Sequence, residues 1–222
     1  FRSAVALESV DGGALDDVVV EHVHATNTGN AICLRLGQRN TNAPPGIVRN
    51  VVIRDLQVEV PAGKPDVGYE IPGPELKVPH NLIPASITGL PGHPVQGVVL
   101  ENIEIIYAGG GTPQRARVSL DALQHLPEKA EHYPEFSMFG ELPAWGFYLR
   151  HVKDVSFNNV RLTLKETDFR PALVCDDVDG LYLNEVTFGP SSGEPVIVLY
   201  DSQGARFQNI HYPAGSREKI RL

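Results

Sequence analysis

A single apolar spacing, repeated six times, most constrains what this chain can fold into. Val18, Val51, Val98, Val155, Leu181 and Ala205 share one register position, and two residues beyond them lie Val20, Ile53, Leu100, Phe157, Leu183 and Phe207. Five residues beyond lie Val23, Leu56, Ile103, Val160, Val186 and Ile210, and seven beyond lie Ala25, Val58, Ile105, Leu162, Phe188 and Tyr212. Steps of two put side chains on one side of a strand. A pattern recurring from end to end marks a repeat architecture, whose units bury their apolar sides only by stacking.

The most regular unit is Pro171–Phe188, PALVCDDVDGLYLNEVTF, which reads as an apolar strand, a turn rich in Asp and Gly, and an alternating second strand. Equivalent first strands are predicted at Ala4–Ser9, Ala31–Leu36, Ala85–Leu90, Trp145–Arg150, Ala172–Cys175 and Val196–Tyr200. No Asn-Gly or Asp-Gly pair joins neighbouring strands at two-residue spacing, which argues against hairpins. The expected fold is all-β: one right-handed parallel β-helix domain over residues 1–222, with equivalent side chains stacked inside. Each stacked Val, Leu or Phe contributes roughly 1.5–3 kcal/mol before the ordering entropy is subtracted. Four residues after the register position run His22, Asp55, Asn102, Asn159, Glu185 and Asn209. This polar ladder reads as structural, with its Asn amides bonded from coil to coil.

Departures from the repeat mark where a site would be. Pro61–Pro84 and Ala108–Pro143 both leave after a second strand and return at the next first strand, so the two long insertions emerge at one corner. Insertions that share a corner frame the binding face of many solenoids. Gln38–Ile47 leaves from a different turn and is predicted to form a separate flap. Short helices are predicted in the second insertion at Val118–Leu126 and Pro127–His132, Pro127 suiting a first helical position. Tyr133–Pro143 is at once aromatic, apolar and acidic, which suits either packing on the solenoid wall or lining a sugar site.

A net charge of −8 excludes the basic footprint of a nucleic-acid binder, and no apolar run reaches the ~18 residues of a membrane span. Cys33 and Cys175 lie in apolar strands about five coils apart, too far for a disulfide or shared metal. The chain opens at Phe1, already inside an apolar strand. An upstream part of the solenoid is therefore expected, and the uncapped end would present unpaired strand edges.

No GxSxG elbow, P-loop, HExxH or zinc-spaced Cys cluster is present. Inverting glycoside hydrolysis needs two carboxyl groups about 6.5–9.5 Å apart, which neighbouring coils can supply. Asp176, Asp177, Asp179 and Asp201 lie where Asp is a routine turn residue. Glu8 and Asp11 flank the first strand and are candidate groove residues. Arg35 and Arg39 border the flap, where a guanidinium suits bidentate grip of a carboxylate. Tyr133 and Glu135, in the second insertion, complete the predicted substrate-binding set. No metal or cofactor site is predicted.

The stretches RSAVALESVDGGALDDVVVEHV, NAICLRLGQR and YPEFSMFGELPAWGFYLRHVKDVSFNNV resemble the carboxyl-terminal half of bacterial glycoside hydrolases of family 28, the polygalacturonase-like, pectin-degrading enzymes. The resemblance spans essentially the whole chain. It implies a right-handed parallel β-helix, inverting hydrolysis by an Asp cluster without metal, a polysaccharide or oligosaccharide partner, and a monomer that is secreted or periplasmic. That family's Asn-Thr-Asp, Asp-Asp and Gly-His-Gly motifs correspond to sequence before Phe1, so no catalytic residue is assigned and the piece alone is expected to be inactive. Its Arg-Ile-Lys motif falls on Ala6-Leu7-Glu8. Replacement of the basic pair by Ala and Glu implies a neutral or differently placed sugar instead of a galacturonate carboxylate. The other reading of the residues is a non-catalytic β-helix that binds carbohydrate or acts as an adhesin.

Overall fold

A computed structural model describes residues 2–63, 82–114 and 123–222. They form β1 (Ser3–Ser9), β2 (Ala14–Ala25), β3 (Asn30–Leu36), β4 (Ile47–Val60), β5 (Ala85–Thr88) and β6 (Val95–Tyr107). These are followed by β7 (Phe147–Leu164), β8 (Leu173–Phe188), β9 (Ile197–Tyr200), β10 (Arg206–Gln208) and β11 (Ile220–Arg221). The protein is all-β, and all pairing between these strands is parallel within one open eleven-stranded sheet.

The strands stack in two columns. β1, β3 and β5 make the first, and β2, β4 and β6 the second. β7 and β8 run through both: Phe147–Arg150 pairs with β5, and the rest of β7 pairs with β6. The observed register is the one predicted, Val18 on Val51, Val98, Val155 and Leu181, with Leu183 on Phe207. Apolar positions repeat, so apolar side chains stack between the columns, where Ile53, Leu100, Phe157 and Leu183 are fully buried. Phe147 and Phe157 meet edge to face at 5.0 Å inside this core. Val18, Val20 and Val23 on β2, and Phe207 and Ile210 near the opposite end, pack on the core but are only partly buried.

Residues in the left-handed region bend these long strands around the core. The predicted polar ladder is one such row: His22, Asp55, Asn102, Asn159, Glu185 and Asn209 all have φ between 52° and 58°. Asn and Asp tolerate this conformation where β-branched residues do not. Asn159 Nδ2 donates to Asn102 Oδ1 at 2.9 Å, and Asn102 Nδ2 to Asp55 Oδ1 at 3.0 Å, so the amide bonding expected of the ladder joins its three middle rungs. A second row (Asp17, Asn50, Gly97, Asp154, Gly180, Gly204) bends each rung just before the register position.

Both long insertions connect the second column to the first. Val60 pairs with Tyr107 where they leave, and Ala85 with Phe147 where they return, so they emerge at one corner as predicted. Of the two predicted helices, the one at Pro127–His132 does not form. Within Val118–Leu126 the described part is a 3-10 turn at Leu123–His125, residues 118–122 lying outside the described ones, and Pro127–His132 is irregular. That segment is held from outside instead, the Glu128 carbonyl by Arg35 of β3 and the Ala130 carbonyl by the Gln38 N–H. Cys33 and Cys175 are free and buried. They lie three rungs apart rather than five, on opposite faces of the first column, since Cys33 shares a row with Ser86, Tyr148 and Val174.

Candidate functional site

The site is built on the outer face of the first column. Where Ile32 and Leu34 of β3 enter the core, Cys33 and Arg35 point the other way. Parallel register then aligns an outward polar row: Glu8, Arg35, Thr88, Arg150, Asp176 and Tyr200. The second insertion folds back over this row. Leu123, Leu142 and Ala144 pack on Tyr148, Val174 and Val198, while Phe136 is buried with Cys33 and Ile83.

Of the two readings of Tyr133–Pro143, packing on the solenoid wall is observed for part of the stretch. Phe136 and Leu142 pack on the wall. Tyr133, by contrast, is 66% exposed, with the Arg39 guanidinium 5.7 Å from its ring centroid. The flap is not separate: Gln38 N donates to Ala130 O at 2.7 Å, so flap and insertion share one rim.

The six predicted residues come from four stretches; five of them line this rim and Arg35 is buried beneath it. Glu8 is half-buried and receives the Cys33 thiol at 3.7 Å. Desolvation, then the Glu135 charge, push its carboxyl up to about 7, with the Cys33 bond and Arg35 pulling weakly the other way. Arg2 Nη1 donates to Glu135 Oε2 at 3.0 Å, which fixes Glu135 beside β1. Asp11 and Arg39 form a bidentate pair at the exposed edge, and each holds the other in its charged form. Arg35 differs from the expected rim arginine. Only 1% exposed, it donates to Thr88 Oγ1, Gly89 O and, at 2.7 Å, Glu128 O, and lies under the Phe139 ring. Burial lowers its pKa to about 10.

Beyond Arg35 lies a cluster that the sequence reading missed. Arg150 Nη2 pairs with Glu128 Oε1 at 2.7 Å, and Tyr148 Oη donates to Asp176 Oδ2 at 3.0 Å. His151 bridges Glu128 and Asp177 through its two ring nitrogens. Burial opposes the His151 charge, but the bonds to Glu128 and Asp177 prevail and raise its pKa. Desolvation raises Asp176. Asp177, with φ 59°, is the turn residue expected, whereas Asp176 is a buried strand residue. Arg150 and Asp176 share one outward strand position, but that position carries no recurring residue type, and Glu128 comes from the insertion, so no periodic signal marks the cluster.

The insertions are locked beneath the rim by Asp168 and Arg170, both 0% exposed. Asp168 accepts from Arg170 Nε and Nη2 and from Gly111 N, while Arg170 Nη1 donates to Leu82 O and Leu142 O. A carboxyl whose pKa sits near neutrality can both donate to and accept from a hydroxyl, and Glu8 supplies one beside an exposed ring, that of Tyr133. Among the described residues no group of three His, Cys, Asp or Glu is placed to hold a metal ion. No described helix is long and apolar enough to cross a membrane.

No family model matches this chain, and no curated protein matches it. Among solved structures, a protein of Parabacteroides merdae described as a "putative glycosyl hydrolase" is similar with a TM-score of 0.43 at 15% identity, over 94% of this chain and 77% of its own.

Proposed function

We propose that this chain is a right-handed parallel β-helix belonging to a glycoside hydrolase of the polygalacturonase-like family 28. In this reading it works outside the cell or in the periplasm, as a monomer, on a pectic or related plant polysaccharide with inversion. The reacting acid and base come from residues outside these 222. The chain supplies the rim at which a sugar is held, by Glu8, Asp11, Arg39, Tyr133 and Glu135, with Arg35 supporting them from below. The observation that carries the reading is the convergence of those residues, from β1, β3, the flap and the second insertion, on one outer face. Parallel columns with two insertions at one corner support the architecture. Glu8, held near neutrality beside Glu135, favours a neutral sugar at its subsite over a galacturonate.

The test is reducing-sugar release by the complete enzyme from unsubstituted polygalacturonate and from neutral pectic glycans. Faster release from a neutral glycan, with KM raised several-fold by Glu8→Gln, is expected. Efficient cleavage of polygalacturonate that Glu8→Gln leaves unchanged would refute the subsite. Turnover by the 222-residue piece alone would refute the outside origin of the acid and base.

A further inference from the structure

A long cleft lies on a different surface, around the corner from the rim. It has a volume of about 1410 Å³ and runs along the outer face of the second column, from Asp17 and Val19 to Arg206 and Gln208. We propose that it is a second carbohydrate site, which binds an unbranched neutral oligosaccharide lengthwise across the rungs.

Its shape comes from the second row of left-handed residues. Each bends its rung inward just before the register position, and the bends align into one trough. Room for it depends on glycine. A Cβ on Gly180 would lie 2.8 Å from Asp154 Oδ1, and one on Gly97 would lie 3.2 Å from Asn50 Oδ1. The Asx side chains therefore fold along the wall over the glycine of the next rung and leave the trough open. Six rungs at ~4.8 Å make it roughly 24 Å long, the dimension of a polymer segment rather than a small metabolite.

The lining selects among polymers. Val19, Val52, Val99 and the Tyr182 ring offer an apolar strip, and Val19 is 57% exposed. Ser156 falls within the strip, between Val99 and Tyr182, and the carboxylates of Asp17 and Asp154 stand beside it; Asp154 has no hydrogen-bonding or ion-pair partner among the described residues. Sugar rings match this alternation, their C–H faces lying on the strip and their hydroxyls donating to Asp154 and Asp17. Phosphates and uronates would meet two carboxylates and one base, Arg206. An acyl chain would desolvate those carboxylates without pairing them, which is costly. An extended peptide would find no free ladder edge, because β4, β6, β7 and β8 are each paired on both sides. The rung repeat is also close to the length of one pyranose unit in an extended glycan, so the strip can meet successive rings in phase.

The test is titration calorimetry of the 222-residue chain with β-1,4-linked galactohexaose, xylohexaose and cellohexaose, and with a galacturonate hexamer. At least one neutral hexasaccharide is expected to bind, tenfold or more tighter than the galacturonate hexamer. Tyr182→Ala and Val99→Glu should each weaken that binding at least tenfold. Their thermal unfolding is expected to stay close to that of the parent. Binding should persist in Glu8→Gln, which separates the trough from the rim. The proposal falls if no neutral hexasaccharide binds, if the galacturonate hexamer binds equally well, or if both trough variants bind as the parent does. Binding lost in Glu8→Gln but kept in Tyr182→Ala would assign the sugar to the rim and also sink the trough.

Discussion

Replacing Arg170 by Met should unfasten both long insertions at once. The guanidinium is 0% exposed and has four tasks: two bonds to the Asp168 carboxylate at 2.9–3.0 Å, and one each to Leu82 O at 2.6 Å and Leu142 O at 3.2 Å. Met restores most of the volume but leaves Asp168 with only the N–H groups of Gly111 and Arg170's own position. Removing one partner of a buried ion pair costs about 3–5 kcal/mol, because the remaining charge is uncompensated. The orphaned carbonyls add to this, though not additively. Urea unfolding at neutral pH should show that loss, and hydrogen exchange should quicken across residues 123–146, whose return is tied down through Leu142 O. A pH series adds a sign. Burial works against Asp168 ionisation, but bonds from Arg170 and Gly111 outweigh it and hold the folded pKa below the ordinary value. The parent therefore keeps this stabilisation above the ordinary Asp range and loses it as pH falls through the depressed value. In Arg170→Met the depression vanishes and acid unfolding begins at higher pH. Adding Asp168→Leu to Arg170→Met should recover roughly 1–3 kcal/mol, since no buried charge is then left alone. A loss below about 1 kcal/mol for Arg170→Met, or strict additivity in the double variant, would refute the assignment of a lock.

Two further outcomes are expected. Carboxyl-carbon NMR should show Glu8 titrating near 7 and moving toward its ordinary range in Glu135→Gln; because the folded value is raised, the folded state loses stability as pH climbs from the ordinary Glu range through about 7, and Glu8→Gln should flatten that slope. At Asn102, φ 53° and two ladder bonds predict that Asn102→Ala costs about 1–2 kcal/mol in thermal or urea unfolding, and Asn102→Gly less, because glycine accepts positive φ.

The apolar spacing alone determined the parallel register, the stacked core and the bonded Asn ladder. These depend on side chains that recur at fixed positions, and a one-residue slip would turn every Val and Leu outward. It also placed both insertions at one corner, because where the repeat breaks is visible in the spacing itself. Tertiary structure decided what lies on the outer faces. Outward positions carry no common polarity, so the alignment of Glu8, Arg35, Arg150 and Asp176 emerges only when the rungs stack. The path of the second insertion was hidden for a related reason. Pro127–His132 satisfies its Glu128 and Ala130 carbonyls with Arg35 and Gln38, residues remote in sequence, rather than within a helix. The trough on the second column likewise needs several left-handed bends in phase, a property of the stack that no single rung possesses.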